Sequence, residues 1–214
     1  MLITHGGKSP CVHPSARIAP NAVICGDVTV GARCSVGFGA VLSAESGPIS
    51  LGDDSIVMDT AVIRGLRHHP AVIGRQVLVG PRAYLSGCTV DDEVFLATGT
   101  TVFNGAVIGR RSEVRVNAVV HLRTRLAPET TVPIGWVAVG DPARLFAPDR
   151  HDEIWAIQEP LDFPRTVFGV ERPGPGESLM PAVMPRYARA LGRHRDDIII
   201  EGAIVESAIV ESGG

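Results

Sequence analysis

Three histidines stand where an imidazole could do chemistry. His68 and His69 are adjacent in Arg64-Gly65-Leu66-Arg67-His68-His69-Pro70, and His121 is flanked by Arg115, Arg123 and Arg125. A histidine titrates near neutral pH, so it can act as a general base or, when neutral, as a metal ligand. Residues two apart on an extended strand share a face. His121, Arg123 and Arg125 are therefore expected along one groove if that segment is extended, a base beside cations suited to phosphate. Adjacent histidines point in different directions, so His68 and His69 hold one ion only with donors from His121 or from another chain. The plainer expectation is solvated loop histidines and an arginine edge that discourages strand addition. The four cysteines (Cys11, Cys25, Cys34, Cys88) lack C-x-x-C spacing. They read as buried free thiols in a reducing compartment rather than as a disulfide or metal framework.

The scaffold for these side chains must be built with few aromatics. They make up 5% of the 214 residues, against 24 Gly and 16 Pro, while 45% are hydrophobic. The interior is thus aliphatic and the chain turns often. With 20 basic and 23 acidic residues, a net charge of −3 argues against a nucleic-acid clamp driven by phosphate neutralisation. No apolar run is long enough to span a bilayer and the N-terminus has no signal-peptide pattern, so the expected location is cytoplasmic.

Steps of six residues organise the chain. From Val12 they reach Ile18, Ile24, Val30, Val36 and Leu42. After three extra residues they reach Leu51, Val57 and Ile63. After four more come Ile73, Val79 and Leu85. One residue is then skipped, and Val90, Leu96, Val102, Ile108, Val114, Val120, Leu126, Val132 and Ala138 follow. Small or β-branched residues such as Ala22, Ala40, Ser55 and Ala61 recur four positions later, and Gly often follows the aliphatic. A period of six is neither helical nor simply alternating. It fits a three-sided solenoid of about seven turns, each flat segment sending one aliphatic inward before a corner. Gly there relieves crowding or supplies a positive φ.

The expected organisation is an N-terminal lead over 1–11, the solenoid over 12–146, a helix and connector over 147–170, and a helical or flexible tail over 171–214. Asp149 is the expected cap of the first helix and Pro160 its stop, with Ile154, Trp155 and Ile157 forming its apolar side. Pro173-Gly174-Pro175-Gly176 reads as a hinge. A second helix over 179–191 contains Pro181 and Pro185, so its first half is expected to be irregular. Ala203-Ile204-Val205-Glu206-Ser207 recurs as Ala208-Ile209-Val210-Glu211-Ser212, either a loosely ordered tail or an added strand.

The repeat resembles that of the hexapeptide superfamily, an all-β fold of left-handed parallel β-helices followed by a C-terminal α-helix. Within it, Leu51-Gly52-Asp53-Asp54-Ser55-Ile56-Val57-Met58-Asp59, Val79-Gly80-Pro81-Arg82-Ala83-Tyr84-Leu85-Ser86-Gly87-Cys88-Thr89-Val90 and the Pro133-Ile134-Gly135 to Ala143 exit resemble γ-class carbonic anhydrases. The resemblance implies a homotrimer with sites between neighbouring prisms and a metal held by three histidines from two subunits. Those three positions are here Arg64, Pro81 and Ser86. An R-G-D-like triplet has become Ser43-Ala44-Glu45, and only Asp59 persists from an N-x-Q-D stretch. Guanidinium stays protonated, proline's side chain offers no donor, and a neutral serine hydroxyl is a poor ligand. A γ-carbonic anhydrase-like protein without a metal in that site, and without CO₂ hydration, is the expectation.

Three functional readings follow. In the first, Arg64, with Arg82, His68 and Ser86, recruits a small anionic ligand at the subunit interface. Alternatively Arg64 pairs with Glu45 or Asp59 as a structural link between subunits, Asp59 being favoured because it lies five residues earlier. In the second, the chain is a hexapeptide acyltransferase that uses coenzyme A, with His121 as catalytic base. In the third, a divalent metal sits in a relocated site built from His68, His69 or His121. Neither a nucleic-acid nor a membrane partner is expected.

Overall fold

The computed structural model describes residues 1–200. Short strands, most of two or three residues, pair in parallel into a 15-stranded and a 7-stranded sheet. Three ladders of inward aliphatics result. The first stacks Leu2, Ile24, Leu42, Ile63, Leu85, Val102, Val120 and Ala138. The second stacks Val12, Val30, Leu51, Ile73, Val90, Ile108 and Leu126. The third stacks Ile18, Val36, Val57, Val79, Leu96, Val114 and Val132. All 21 positions of the six-residue walk lie on these ladders. The chain is a parallel β-solenoid, and the first side has eight rungs where the walk implied about seven. The added rung is Leu2–Thr4, which pairs in parallel with Val23–Val30.

Inside, the aliphatics form one continuous core, and the small residues four places on, Ala22, Ala40, Ala61 and Ala83, are buried at the corners. The recurrent glycines answer to crowding. A Cβ on Gly52 would lie 2.6 Å from the backbone of Gly74, and one on Gly80 2.7 Å from that of Ala97, with no positive φ at either. Left-handed corner positions are taken instead by residues such as Arg33, Asp54, Gln76 and Arg111. Three insertions (between Leu2 and Val12, Leu42 and Leu51, and Ile63 and Ile73) all leave at one edge, between the first and second ladders. Two of these loops are pinched by backbone bonds, His5 to Lys8 and Leu66 to His69.

Past the solenoid, Val137–Val139 pairs antiparallel with Arg144–Phe146. Helix α1 (His151–Gln158) lays Ile154 and Ile157 against Val137, Val139 and Phe146. The expected cap is corrected: Arg150, not Asp149, precedes the first helical residue, and no side chain caps it. A turn from Arg150 N–H to the Ala147 carbonyl moves the start by one residue, and Arg150 pairs with Glu153. Residues 174–177 make a tight turn, Glu177 N–H donating to the Gly174 carbonyl at 3.1 Å. Helix α2 (Met180–Leu191) is continuous, contrary to the expected irregular first half. Pro181 lies in the first turn, where N–H groups have no intrahelical acceptor, and the helix carries Pro185 without a break. The chain then runs through a 3₁₀ segment (Gly192–Asp196) into Ile198–Ile200, which pairs antiparallel with Leu2–Thr4. The tandem duplication at 203–212 lies outside the described residues. Among those described, no helix is long and apolar enough to cross a membrane.

Candidate functional site

The six expected ligand-binding residues divide between two edges of the first sheet. Arg64 ends the strand Val62–Arg64, in register with Ser43 on one side and Ser86 on the other. Its guanidinium pairs with Glu45, both side chains about one-fifth exposed, and Tyr84 lies alongside. Burial works against the charge of Arg64, but the Glu45 carboxylate and Tyr84 hold its pKa above the ordinary value. Ser86 is buried beside it. His68 is exposed in the insertion at the same edge.

Asp59 and Arg82 are elsewhere. The Asp59 carboxylate accepts the Phe38 N–H at 2.7 Å, and the Asp59 carbonyl accepts the Arg82 N–H at 3.1 Å. Both residues occupy the corner between the third and first ladders, as does Pro81. Within one chain, therefore, Asp59 does not pair with Arg64. Five residues in this solenoid span most of one side, so Glu45, two positions past the register partner Ser43, is the reachable carboxylate. The Arg64–Glu45 pair is made within one chain.

The groove expected for His121, Arg123 and Arg125 does not form. His121 and Arg123 belong to the turn between Val119–Val120 and Arg125–Leu126, and Arg123 has a φ of 53°. Arg125 faces Asp141 at 3.5 Å, and Arg115 pairs with Glu113 at 3.2 Å on another corner. His121 turns under α1 into a cavity of about 220 Å³ lined by Trp155, Gln158, Phe163, Pro164 and Arg172. Its ring is tilted against Phe103 at 5.6 Å, and its Nδ1 is buried with no partner among the described residues. Burial pushes its pKa down. Trp155 thus faces this cavity, stacked by Arg172, while Ile154 and Ile157 hold the helix on the solenoid.

Arg123 reaches a larger cleft of about 700 Å³. The solenoid edge contributes Ser46, Arg67, His68, His69, Asn104 and Arg123. The segment after α1 folds back to close the other side, with Asp162, Arg165 and Thr166. Among the described residues, Arg67, Arg123 and Arg165 make no ion pair, while Asp162 has Arg172 at 3.8 Å. His69 is half-buried here, its pKa pushed down by burial and then by Arg123 and His68. Arg67 and Arg165 were missed in the sequence, whereas Arg123 was expected as a phosphate partner beside His121 rather than in this cleft. The signal available was the insertion that carries Arg67, but nothing local foretells that 160–167 returns over it. A relocated metal centre is not assembled within one chain. Among the described residues, the one group of three or more histidine, cysteine and carboxylate donors contains neither His68, His69 nor His121.

Residues 12–44 match the family model described as bacterial transferase hexapeptide (six repeats). Over 158 residues the chain is 33% identical to gamma carbonic anhydrase 1, mitochondrial, of Arabidopsis thaliana, covering 71% of this chain and 55% of that one. A probable carbonic anhydrase of Methanocaldococcus jannaschii is 34% identical over 91 residues, covering 42% of this chain and 57% of that one. The chain spans about half the length of the curated relatives it matches. Among solved structures, LpxA, a UDP-N-acetylglucosamine acyltransferase from Bacteroides fragilis, superposes with a TM-score of 0.54 at 14% identity, covering 89% of this chain and 98% of that one. At that identity the likeness shows the fold alone.

Proposed function

Because the chain belongs to the γ-carbonic anhydrase-like branch of the hexapeptide-repeat superfamily, we propose that it is a homotrimer that binds a small carboxylate or phosphate and does not hydrate CO₂ by a zinc mechanism. The cleft at the solenoid edge carries this reading. Three arginines that make no ion pair among the described residues, and two histidines, face one acid, which itself has Arg172 near it. Guanidinium groups suit planar, doubly hydrogen-bonded capture of carboxylate or phosphate.

The residues at the positions the resemblance assigns to the catalytic metal do not fit one. Arg64 brings a permanent positive charge already tied to Glu45, Pro81 has no side-chain donor, and Ser86 offers a neutral hydroxyl. No chemical step is routed through a metal there. Arg64, Ser86 and Glu45 instead act as a polar wall next to the cleft, with His68 at its rim. Asp59 and Arg82, at the opposite edge, join them only if a neighbouring prism presents its own copy. Two features support the trimer. Positions 64 and 86 lie side by side while 81 lies across the sheet, so one chain alone cannot gather them. Ile56, Leu78 and Phe95 also stack outward on the third side, with Ile56 and Phe95 exposed. The free thiols fit a reducing, cytoplasmic setting.

Calorimetric titration of the full chain with inorganic phosphate and with acetate tests the reading. Saturable binding to one of them, weakened by about tenfold or more in Arg67→Ala and Arg123→Ala, is expected. Binding unchanged in both variants removes the cleft as the site. CO₂ hydration above the uncatalysed rate by zinc-supplied protein overturns the non-hydratase reading.

One observation favours a second reading, coenzyme A-dependent acyl transfer. The His121 imidazole faces a cavity with its Nδ1 unpartnered, as a general base awaiting substrate would. At about 220 Å³ that cavity is below the usual size of a cofactor site, roughly 300–1,000 Å³, so this reading stands second. Thermal stabilisation by acetyl-CoA that disappears in His121→Ala would promote it.

A further inference from the structure

At the N-terminal end of the solenoid, two rungs below Arg64 on the same edge, four side chains of metal-ligating type converge. The backbone brings them there. Leu2–Thr4 pairs antiparallel with Ile198–Ile200 so that Thr4 faces Ile198, which sets His5 opposite Asp197. Leu2–Thr4 also pairs in parallel with Val23–Val30 so that Ile3 faces Cys25. His194 arrives from the 3₁₀ segment that precedes Asp197.

His5 Nδ1 lies 2.6 Å from Asp197 Oδ1, His194 Nδ1 lies 2.7 Å from Asp197 Oδ2, and the Cys25 thiol points at Asp197 Oδ2 from 3.8 Å. The imidazole rings stack at 4.3 Å. One ligating atom from each residue falls within 4.8 Å of all the others. A tetrahedral ion with bonds of about 2.0–2.3 Å sets its donors roughly 3.5 Å apart. The four atoms therefore need only small rotations about an ion placed among them. His5 and Cys25 are buried, and His194 and Asp197 are partly so. A cavity of about 280 Å³ lined by His5, Glu45 and Arg193 opens beside them as an entry path.

The donor set suits a borderline-soft divalent cation: two imidazole nitrogens, one sulfur and one carboxylate oxygen. Binding converts Cys25 to thiolate and releases one proton. Both imidazoles shift their proton from Nδ1 to Nε2, and thiolate plus carboxylate cancel the ion's charge. A nucleophilic role for Cys25 fits less well. Its hydrogen-bond partner is a carboxylate rather than an imidazole, and burial with Asp197 nearby pushes the thiol up to about 11.

We propose that His5, Cys25, His194 and Asp197 form a structural site for a zinc-class divalent cation that fastens the C-terminal arm to the first rung of the solenoid. All four positions are protein donors, so the site is closed and stabilises rather than catalyses. Sequence distance hid it, since His5 and Asp197 are 192 residues apart.

The test uses the full chain, stripped with chelator, checked for folding by circular dichroism, and titrated with Zn²⁺ and separately with Co²⁺. One ion per chain and a thiolate-to-cobalt charge-transfer band are expected. Cys25→Ser should lose the band, and both Cys25→Ser and His194→Ala should bind about tenfold or more weakly, whereas Arg64→Ala and Ser86→Ala should keep the band and the affinity. Zinc should also protect the Arg193 and Arg195 bonds from trypsin in the wild type but not in Cys25→Ser. Absence of Zn²⁺ binding by the folded wild type, or binding equally strong in Cys25→Ser and His194→Ala, overturns the proposal. Ion binding lost only in Arg64→Ala or Ser86→Ala overturns it too, and returns the metal to the crevice. Neither result bears on anion binding by the arginine cleft.

Discussion

Replacing Glu45 by Ala should cost the solenoid more than replacing both members of its ion pair. Arg64 and Glu45 are 21% and 20% exposed, and the Arg64 backbone is paired with the coils on both sides. Stranding one charge of a fully buried pair costs about 3–5 kcal/mol, and an exposed pair contributes about 0–1 kcal/mol. At one-fifth exposure water still screens part of the field, so Glu45→Ala should cost about 2–3 kcal/mol. For a chain of this length that lowers Tm by roughly 4–12 °C. Removing Arg64 as well takes away the stranded charge, and Glu45→Ala/Arg64→Ala should cost only about 1 kcal/mol in lost packing. Urea midpoints for wild type, both single variants and the double variant give the coupling, at fixed protein concentration because oligomerisation shifts apparent stability. A Glu45→Ala cost under about 0.5 kcal/mol, or a double-variant cost equal to the sum of the singles, would refute a buried, coupled pair.

Gly80→Ala should cost more than about 2 kcal/mol, because its Cβ would meet the Ala97 backbone at 2.7 Å, whereas Gly192→Ala, with nothing within 4 Å, should be near neutral; thermal melts of the two decide. Ile56→Glu/Phe95→Glu should shift the mass seen by light scattering from trimer toward monomer while far-ultraviolet circular dichroism is unchanged. The pKa of His121 lies below its ordinary 6.5 because of burial, so the unfolded chain takes up a proton before the folded one does as pH falls. This contribution is fully present above 6.5 and is lost as pH drops through the folded value. His121→Phe should therefore flatten the fall in urea midpoint between neutral and mildly acidic pH, with His69 leaving a residual slope in the same direction.

The ladders were legible because one aliphatic per six residues is a strict geometric demand: a segment that misses its step leaves a hole in a core only one side chain deep. Leu2 escaped because the His5–Lys8 hairpin stretches the step to Val12 to ten residues, the same stretch that separates Ile63 from Ile73. The partner of Arg64 was misjudged by counting along the chain. In a solenoid, two residues from the same position on the coil below are nearer in space than five residues along the strand. Asp149 was a reasonable cap by type, but the turn from Ala147 to Arg150 shifts the helix start by one residue, and composition does not report it. The arginine cleft depends on 160–167 folding back, and the His5–Asp197 cluster on an arm returning across the whole chain. Both are tertiary events with no local pattern.

The placement of these features has a common cause. Each coil must keep three flat segments in register with the coil below, so extra residues leave without disrupting a ladder only at corners. Here all three insertions use the corner between the first and second ladders. That edge stacks His5, Cys25, Glu45, Arg64, Ser86, His69, Asn104, Arg123 and His121 within eight coils. The other two edges stay tight, and the one between the second and third ladders carries ion pairs such as Arg33–Asp54 and Arg110–Glu93. An edge that tolerates insertion can change its chemistry without changing the fold. Here that edge has an ion pair within one chain, a cationic cleft walled by the chain's own C-terminal arm, and at its far end a donor cluster that secures that arm.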